Sequence, residues 1–193
     1  MEAKLVVIGT SLGGLSALTV LLSGLPKEFA PPIVIVQHRG KAADDALASI
    51  LGGQTRLVVS EANDKETLEG GHVYIAPADY HLLVEAGSLA LSTEAPVNYA
   101  RPSIDVTFES AAEAYGSSLI GVVLTGANDD GARGSARIKQ RGGVVLVQDT
   151  ETAESRAMPA AAAAATKVDR VVPLSEIPSV LASLCCGEGA IHT

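Results

Sequence analysis

Tryptophan is absent from the 193 residues, and aromatic side chains make up only 3% of them. Few rings remain for bases to stack on, which argues against a reader of single-stranded nucleic acid. Cations are also scarce: 14 Lys and Arg face 22 Asp and Glu, a formal charge of -8. Phosphate neutralisation needs clustered Lys and Arg, so nucleic acid is not an expected partner. The two cysteines are neighbours, Cys185 and Cys186. That spacing builds neither a structural zinc site nor a disulfide framework, and it fits reduced thiols in a cytoplasmic setting. No apolar run approaches the roughly 20 residues of a membrane span. The N-terminus lacks the basic region and small-residue cleavage site of a signal peptide. A cytoplasmic protein without membrane insertion is the expectation.

What the chain does have is short apolar runs set at regular intervals. Lys4-Leu-Val-Val-Ile8, Ile33-Val-Ile-Val36, Leu119-Ile-Gly-Val-Val-Leu124 and Val144-Val-Leu-Val147 are continuously apolar. This is the pattern of strands buried on both faces. Helical periodicity follows the first run, with Leu15, Leu18, Leu21 and Leu22 before the stop Gly24-Leu-Pro26. Further helices are predicted over Asp44 to Leu51, Ser103 to about Tyr115, after Gly131, from Pro159 to Ala165 and from Ser175 to Leu184. Ser103 is the expected N-cap of its helix, with Asp105 suited to the positive helix start. Leu57-Val-Val59, Val73-Tyr-Ile75 and Val171-Val172 add short strands, and His81-Leu-Leu-Val84 with Leu89-Ala-Leu91 reads as a β-hairpin. Alternating strands and helices predict an α/β fold: a doubly wound, mostly parallel sheet, Rossmann-like, with helices on both faces. Residues 1–193 are expected to form one domain.

In such sheets ligands bind at the carboxyl ends of the strands. Three of those ends carry the residue types of a hydrolytic triad. Ser11 follows the first strand, His38 the second, and Asp129-Asp130 the Leu119 to Leu124 strand. A serine alcohol is a weak nucleophile at neutral pH. An imidazole can take its proton, and a carboxylate can fix the imidazole tautomer. Ser11 stands at a helix start, where backbone N–H groups lack intrahelical partners and could hold an oxyanion; Gly13 and Gly14 leave room beside them. Taken alone, a serine in such a turn equally suits a cap or a phosphate contact. His72 and His81 suit a buried structural role or a groove, and His192 falls in the terminal tail. The chain order Ser, His, Asp differs from the α/β-hydrolase order, although Gly9-Thr-Ser-Leu-Gly13 matches the Gly-x-Ser-x-Gly elbow.

Together these motifs resemble the catalytic domain of the protein-glutamate methylesterases of bacterial chemotaxis, the CheB type. The resemblance runs from Val7-Ile-Gly-Thr-Ser-Leu-Gly-Gly14 to about Pro173. Between these ends lie Val36-Gln-His38, Gly71-His-Val-Tyr-Ile-Ala-Pro77, His81-Leu, Arg101-Pro-Ser-Ile-Asp105, Leu124-Thr-Gly-Ala-Asn-Asp-Asp-Gly131, Gln148-Asp149 and Met158-Pro159. It implies Ser11 as nucleophile, His38 as base and Asp130, next to the closing glycine, as the triad acid. It further implies demethylation of glutamate γ-methyl esters on the cytoplasmic helical region of methyl-accepting chemoreceptors, with methanol released, and deamidation of receptor glutamine. No metal or organic cofactor is implied. Backbone donors near Leu12 and Gly13 would hold the oxyanion, with Arg101 and Ala127 in the substrate groove, although Arg101 equally suits a structural ion pair at a helix start.

Two positions depart from the family pattern. Leu12 stands where Thr is usual, and Ala127-Asn128 replaces a Met-Gly pair. The phosphorylatable receiver domain common in the family is expected to be missing, the chain being a stand-alone form or a piece of a longer protein. Ser103, Asp105, Met158 and Pro159 suit either groove or packing. Two other classes compete. A nucleotide-binding module would need Gly-x-Gly-x-x-Gly in the first turn and an acid after the second strand, where Gln37-His38 stands. A non-catalytic signalling scaffold would retain the fold and bind receptor helices.

Overall fold

The computed structural model describes residues 3–40 and 46–186, and the side chains of all of these except Cys186. Asp44, Cys186's side chain and His192 therefore lie outside the described residues. Seven strands, β1 (Leu5–Thr10), β2 (Ile33–Gln37), β3 (Val58–Glu61), β4 (His72–Ile75), β7 (Leu119–Val123), β8 (Val144–Gln148) and β9 (Arg170–Val172), form one sheet. Its order is β3-β4-β2-β1-β7-β8-β9, with every pair parallel. The intervening β5 (His81–Glu85) and β6 (Ser88–Ser92) make the expected antiparallel hairpin as a separate two-stranded sheet.

Successive side chains of a strand point to opposite faces, so each buried run feeds two cores. Val6 and Ile8 of β1, with Ile33 and Ile35 of β2, pack beneath α1 (Gly14–Ser23), α2 (Ala46–Gly52) and α6 (Ile177–Cys186). Leu5, Val7, Val34 and Val36 point the other way. They meet α3 (Ile104–Tyr115), α4 (Ala132–Gln140), α5 (Ala157–Ala165) and the hairpin. Each fully buried Leu, Ile or Val contributes roughly 1.5–3 kcal/mol relative to exposure. Both sheet faces are therefore covered, as continuously apolar strands require. Among the described residues no helix is long and apolar enough to cross a membrane.

The chain winds outward from β1 through β2 to β4 and β3, then returns to place β7 on the other side of β1. That reversal leaves a crevice at the carboxyl ends of β1 and β7, where the helices diverge. Ser11, His38 and Asp130 follow β1, β2 and β7, so the topology gathers three residues that are 119 positions apart from first to last.

Candidate active site

Backbone ties bring the strand ends into register before any side chain acts. Ser11 N–H and the Thr10 hydroxyl both donate to the Thr125 carbonyl, at 3.0 and 2.9 Å. The Gln37 amide donates to the carbonyls of Ser11 and His38, 2.9 Å each. Thr125 Oγ1 reaches across to the Leu12 carbonyl at 2.8 Å and receives the Ser155 N–H at 2.9 Å. The turns after β1, β2 and β7 are thus one hydrogen-bonded unit.

Gly13 has φ +78° and Gly131 φ +98°, the left-handed region that side chains with a Cβ avoid. Each is the residue immediately before a helix, α1 and α4 respectively. At the start of α1 the N–H groups of Leu12 and Gly13 find no acceptor among the described residues. They are orphan donors beside the Ser11 side chain, at the positive end of the helix dipole.

His38 Nε2 donates to Asp130 Oδ2 at 2.7 Å, which leaves Nδ1 as the basic nitrogen of the neutral ring. The imidazole is 14% exposed and the carboxylate is fully buried. Burial alone would raise the Asp130 pKa. The His38 hydrogen bond and the N–H groups of Asp105 and Ile104 outweigh it and hold the pKa below the ordinary aspartate value. Oδ2 also receives Ile104 N–H at 2.7 Å, while Oδ1 receives Asp105 N–H at 2.9 Å and the Ser103 hydroxyl at 3.0 Å. The carboxylate therefore caps α3 and orients His38 at once.

Ser103 occupies the N-cap position of α3 but its side chain does not cap. The imported carboxylate takes over the helix N–H groups, and the Ser103 hydroxyl serves that carboxylate instead. Asp105 returns the favour: its Oδ1 accepts Gly131 and Gly134 N–H at 2.9 and 2.8 Å, capping α4. Burial, and then the neighbouring Asp130 charge, push the Asp105 pKa up. Two helix starts are cross-capped by each other's aspartates. Asp129, by contrast, is exposed.

The Asp130 shift has a consequence for stability. A carboxyl with a depressed folded pKa binds fewer protons than it does in the unfolded chain. Its contribution is complete above the unfolded value of about 3.9 and is lost as pH falls through the lower folded value. Urea midpoints taken at pH 5 and pH 3 should therefore fall further for the parent protein than for Asp130→Asn. Equal falls would refute the link.

Ser11 and His38 line one cavity of about 600 Å³, with Leu12, Gly13, Leu15 and Ile50 among its walls. Leu12, Leu15 and Ile50 are 54%, 44% and 46% exposed, so its rim is apolar. Ser11 Oγ makes no hydrogen bond among the described residues. A second cavity of about 490 Å³ is also lined by His38, together with Pro96, Tyr99, Arg101, Pro102 and Asn128.

Arg101 lines the second cavity, but its guanidinium is engaged. Nε and Nη2 donate to Asp79 Oδ1 at 3.1 and 2.7 Å, and Nη1 to the Thr93 and Glu94 carbonyls at 2.8 Å. Ala127 is exposed and lines neither cavity. His81 is buried, with Nδ1 accepting Ser103 N–H at 3.2 Å and Nε2 donating to the Ala95 carbonyl at 3.1 Å. It supports the start of α3. His72 stacks on Tyr74 and pairs with Ser60 Oγ at 2.8 Å, away from both cavities. Met158 and Pro159 are buried in α5, consistent with packing.

Sequence reasoning did not assign roles to Gln37, Thr125 or Asn128. A polar Gln directly after four apolar strand residues, and a Thr at the end of another buried strand, were available signals for the first two. Asn128 showed only as a departure from a pattern. Its amide N lies 3.4 Å from His38 Nδ1, and its Oδ1 accepts Asp130 N–H at 3.3 Å.

The sequence profile of the CheB methylesterase family matches residues 6–181. A Leptospira interrogans protein, provisionally named protein-glutamate methylesterase/protein-glutamine glutaminase, is 46% identical over 95% of this chain and 96% of its own length. The protein-glutamate methylesterase/protein-glutamine glutaminase 2 of Anaeromyxobacter dehalogenans is 44% identical over 95% of this chain but 54% of its own length. Among solved structures, the CheB methylesterase catalytic domain of Thermotoga maritima superposes with a TM-score of 0.90 at 39% identity. That match covers 95% of this chain and all of that one.

Proposed function

The chain belongs to the CheB methylesterase family, and from that premise we propose a serine esterase whose nucleophile, base and acid are Ser11, His38 and Asp130. It is a protein-glutamate methylesterase that hydrolyses glutamate γ-methyl esters, and it deamidates glutamine at the same site. Its protein substrate is the cytoplasmic helical region of a chemoreceptor, which places the enzyme in the cytoplasm. Residues 1–193 act as one catalytic domain. The observation that carries the assignment is the buried Asp130 carboxylate on His38 Nε2, with Nδ1 left basic beside the Ser11 cavity.

The chemistry follows from which atoms are free. Ser11 Oγ attacks the ester carbonyl carbon while His38 Nδ1 takes the hydroxyl proton. The carbonyl π pair moves onto oxygen, where the orphan N–H groups of Leu12 and Gly13 can receive it. Asp130 stays ionised and stabilises the imidazolium. His38 returns the proton to methoxide as it leaves, giving methanol and a Ser11 acyl-enzyme. Water, deprotonated by the same nitrogen, attacks that ester; the tetrahedral intermediate collapses, Nδ1 returns the proton to the departing Ser11 Oγ, and the glutamate carboxylate is freed. With glutamine the leaving group is ammonia. The exposed Leu12, Leu15 and Ile50 beside Ser11 suit the apolar stripe of a substrate helix.

The test is methanol release by the purified protein from a methylated receptor fragment, with ammonia release from its glutamine form measured in parallel. Steady catalytic release of methanol is the expected result. Methanol at the spontaneous rate only, on a fragment that an established family member demethylates, would overturn the reading.

A further inference from the structure

The N–H groups of Leu12 and Gly13 have no acceptor among the described residues, yet their direction is set from behind. The Ser11–Leu12 and Leu12–Gly13 peptide bonds are trans. In a planar trans peptide the N–H points opposite to the carbonyl of the same unit. Whatever holds the Ser11 carbonyl therefore aims the Leu12 N–H, and whatever holds the Leu12 carbonyl aims the Gly13 N–H. Both carbonyls are held by side chains. Gln37 Nε2, at the end of β2, donates to the Ser11 carbonyl at 2.9 Å. Thr125 Oγ1, just after β7, donates to the Leu12 carbonyl at 2.8 Å.

The Gln37 amide is fixed in this orientation, because its second N–H meets the His38 carbonyl at 2.9 Å. Turned over, it would set an oxygen against two carbonyl oxygens. One nitrogen thus ties the nucleophile's backbone to that of the base. The arrangement has a cost: Gln37 Oε1 is buried and accepts no hydrogen bond among the described residues. A buried acceptor without a partner destabilises a fold, and an apolar side chain in that place would avoid the loss. The use of the amide therefore lies in what its NH₂ group holds. Gly14 admits it, since a Cβ at that position would overlap Oε1. The single Thr125 hydroxyl proton has a second acceptor in range, the Ser155 carbonyl at 3.3 Å, but Leu12 is nearer.

We propose that Gln37 and Thr125 are positioning residues for the oxyanion: Gln37 aims the Leu12 N–H, and Thr125 the Gly13 N–H, at the tetrahedral oxygen. Leu12, Gly13 and Gln37 line the same cavity as Ser11. Donors fixed before the reaction need no reorganisation when charge develops, so the effect falls on kcat rather than KM.

The inference rests on Ser11 as nucleophile and on the Leu12 and Gly13 donors. Gln37→Met keeps the length of the side chain without its N–H groups, and Thr125→Val keeps the shape without the hydroxyl. With the backbone donors present but loosely aimed, each should lower kcat for methanol release by roughly 10–100-fold, less than the 10²–10³ or so of a deleted donor. KM should stay within about twofold. A small alkylboronic acid gives the second readout: Ser11 Oγ bonds to boron, its proton passes to His38, and a boronate oxygen takes the oxyanion position. Boronate affinity should fall by a factor similar to that in kcat. Thr125→Ser restores the hydroxyl and should recover most of the Thr125→Val loss. Circular dichroism checks folding; if Thr125→Val does not fold, Gln37→Met, at a half-buried position, decides alone. Losses in kcat below about threefold in the folded variants, or a loss carried by KM with boronate affinity unchanged, would overturn the proposal. So would a Thr125→Ser protein as impaired as Thr125→Val. Ser11→Ala tests the underlying reading separately: undiminished methanol release there would remove the nucleophile itself, whatever the other variants do.

Discussion

Ser11→Ala is expected to reduce methanol release by about six orders of magnitude while leaving the circular dichroism and urea midpoint unchanged. The size follows from the way triad members act as a unit, since removing the nucleophile alone costs about as much as removing the whole set. The fold should be indifferent because the Ser11 hydroxyl makes no hydrogen bond among the described residues, and the ties that hold this turn run through its backbone. Alanine keeps both the N–H to Thr125 and the carbonyl that receives Gln37. His38→Ala should fall into the same range, and the double variant should be no worse than either single one. Residual turnover, about 10³–10⁴ over water, would come from the orphan N–H groups and from binding. A Ser11→Ala protein with more than a few per cent of parent activity would remove Ser11 from the mechanism. Losses that multiply in the double variant would show that Ser11 and His38 do not share a step.

The strands were legible because burial on both faces leaves uninterrupted β-branched runs, and such runs in β1, β2, β7 and β8 have few alternative readings. The candidate site was legible to the extent that polar residues follow those runs abruptly: Ser11, His38 and Asp130 each break an apolar stretch or close a turn after one. Boundaries shifted where the signal was weak. The strand expected over 57–59 runs Val58–Glu61, because edge pairing with β4 extends it past its apolar residues. What the sequence could not disclose was the exchange between α3 and α4. Ser103 has the composition of an N-cap, and only the tertiary arrangement brings a carboxylate from 27 positions away to do that work. Arg101 suited a groove or a structural ion pair equally for the same reason: its partners, Asp79 and the carbonyls of Thr93 and Glu94, converge only once the segments around the hairpin are folded.

The neighbouring aspartates give the second large effect. Asp130→Asn should lower turnover by about four orders of magnitude, whereas Asp129→Asn should stay within a few-fold of the parent. The carboxylate accepts from four donors: Oδ2 from His38 and Ile104, Oδ1 from Asp105 and Ser103. A carboxamide has one acceptor and one donor in those places. If its NH₂ faces His38, the imidazole must present a lone pair at Nε2 and carry its proton on Nδ1, which leaves no base beside Ser11. If its NH₂ faces the Oδ1 side, Asp105 N–H loses its acceptor and the start of α3 is uncapped. The first orientation also sets NH₂ against Ile104 N–H. Either arrangement strands a helix donor, so a loss of roughly 1–3 kcal/mol in folding stability should accompany the kinetic loss. Asp129 is exposed and its side chain caps nothing at the site, so neither quantity should move for Asp129→Asn. Turnover on one receptor fragment and urea midpoints for the two variants decide the matter. Asp129→Asn as the more damaging change would shift the triad acid by one residue, and a stable but inactive Asp130→Asn would show that α3 finds its cap elsewhere.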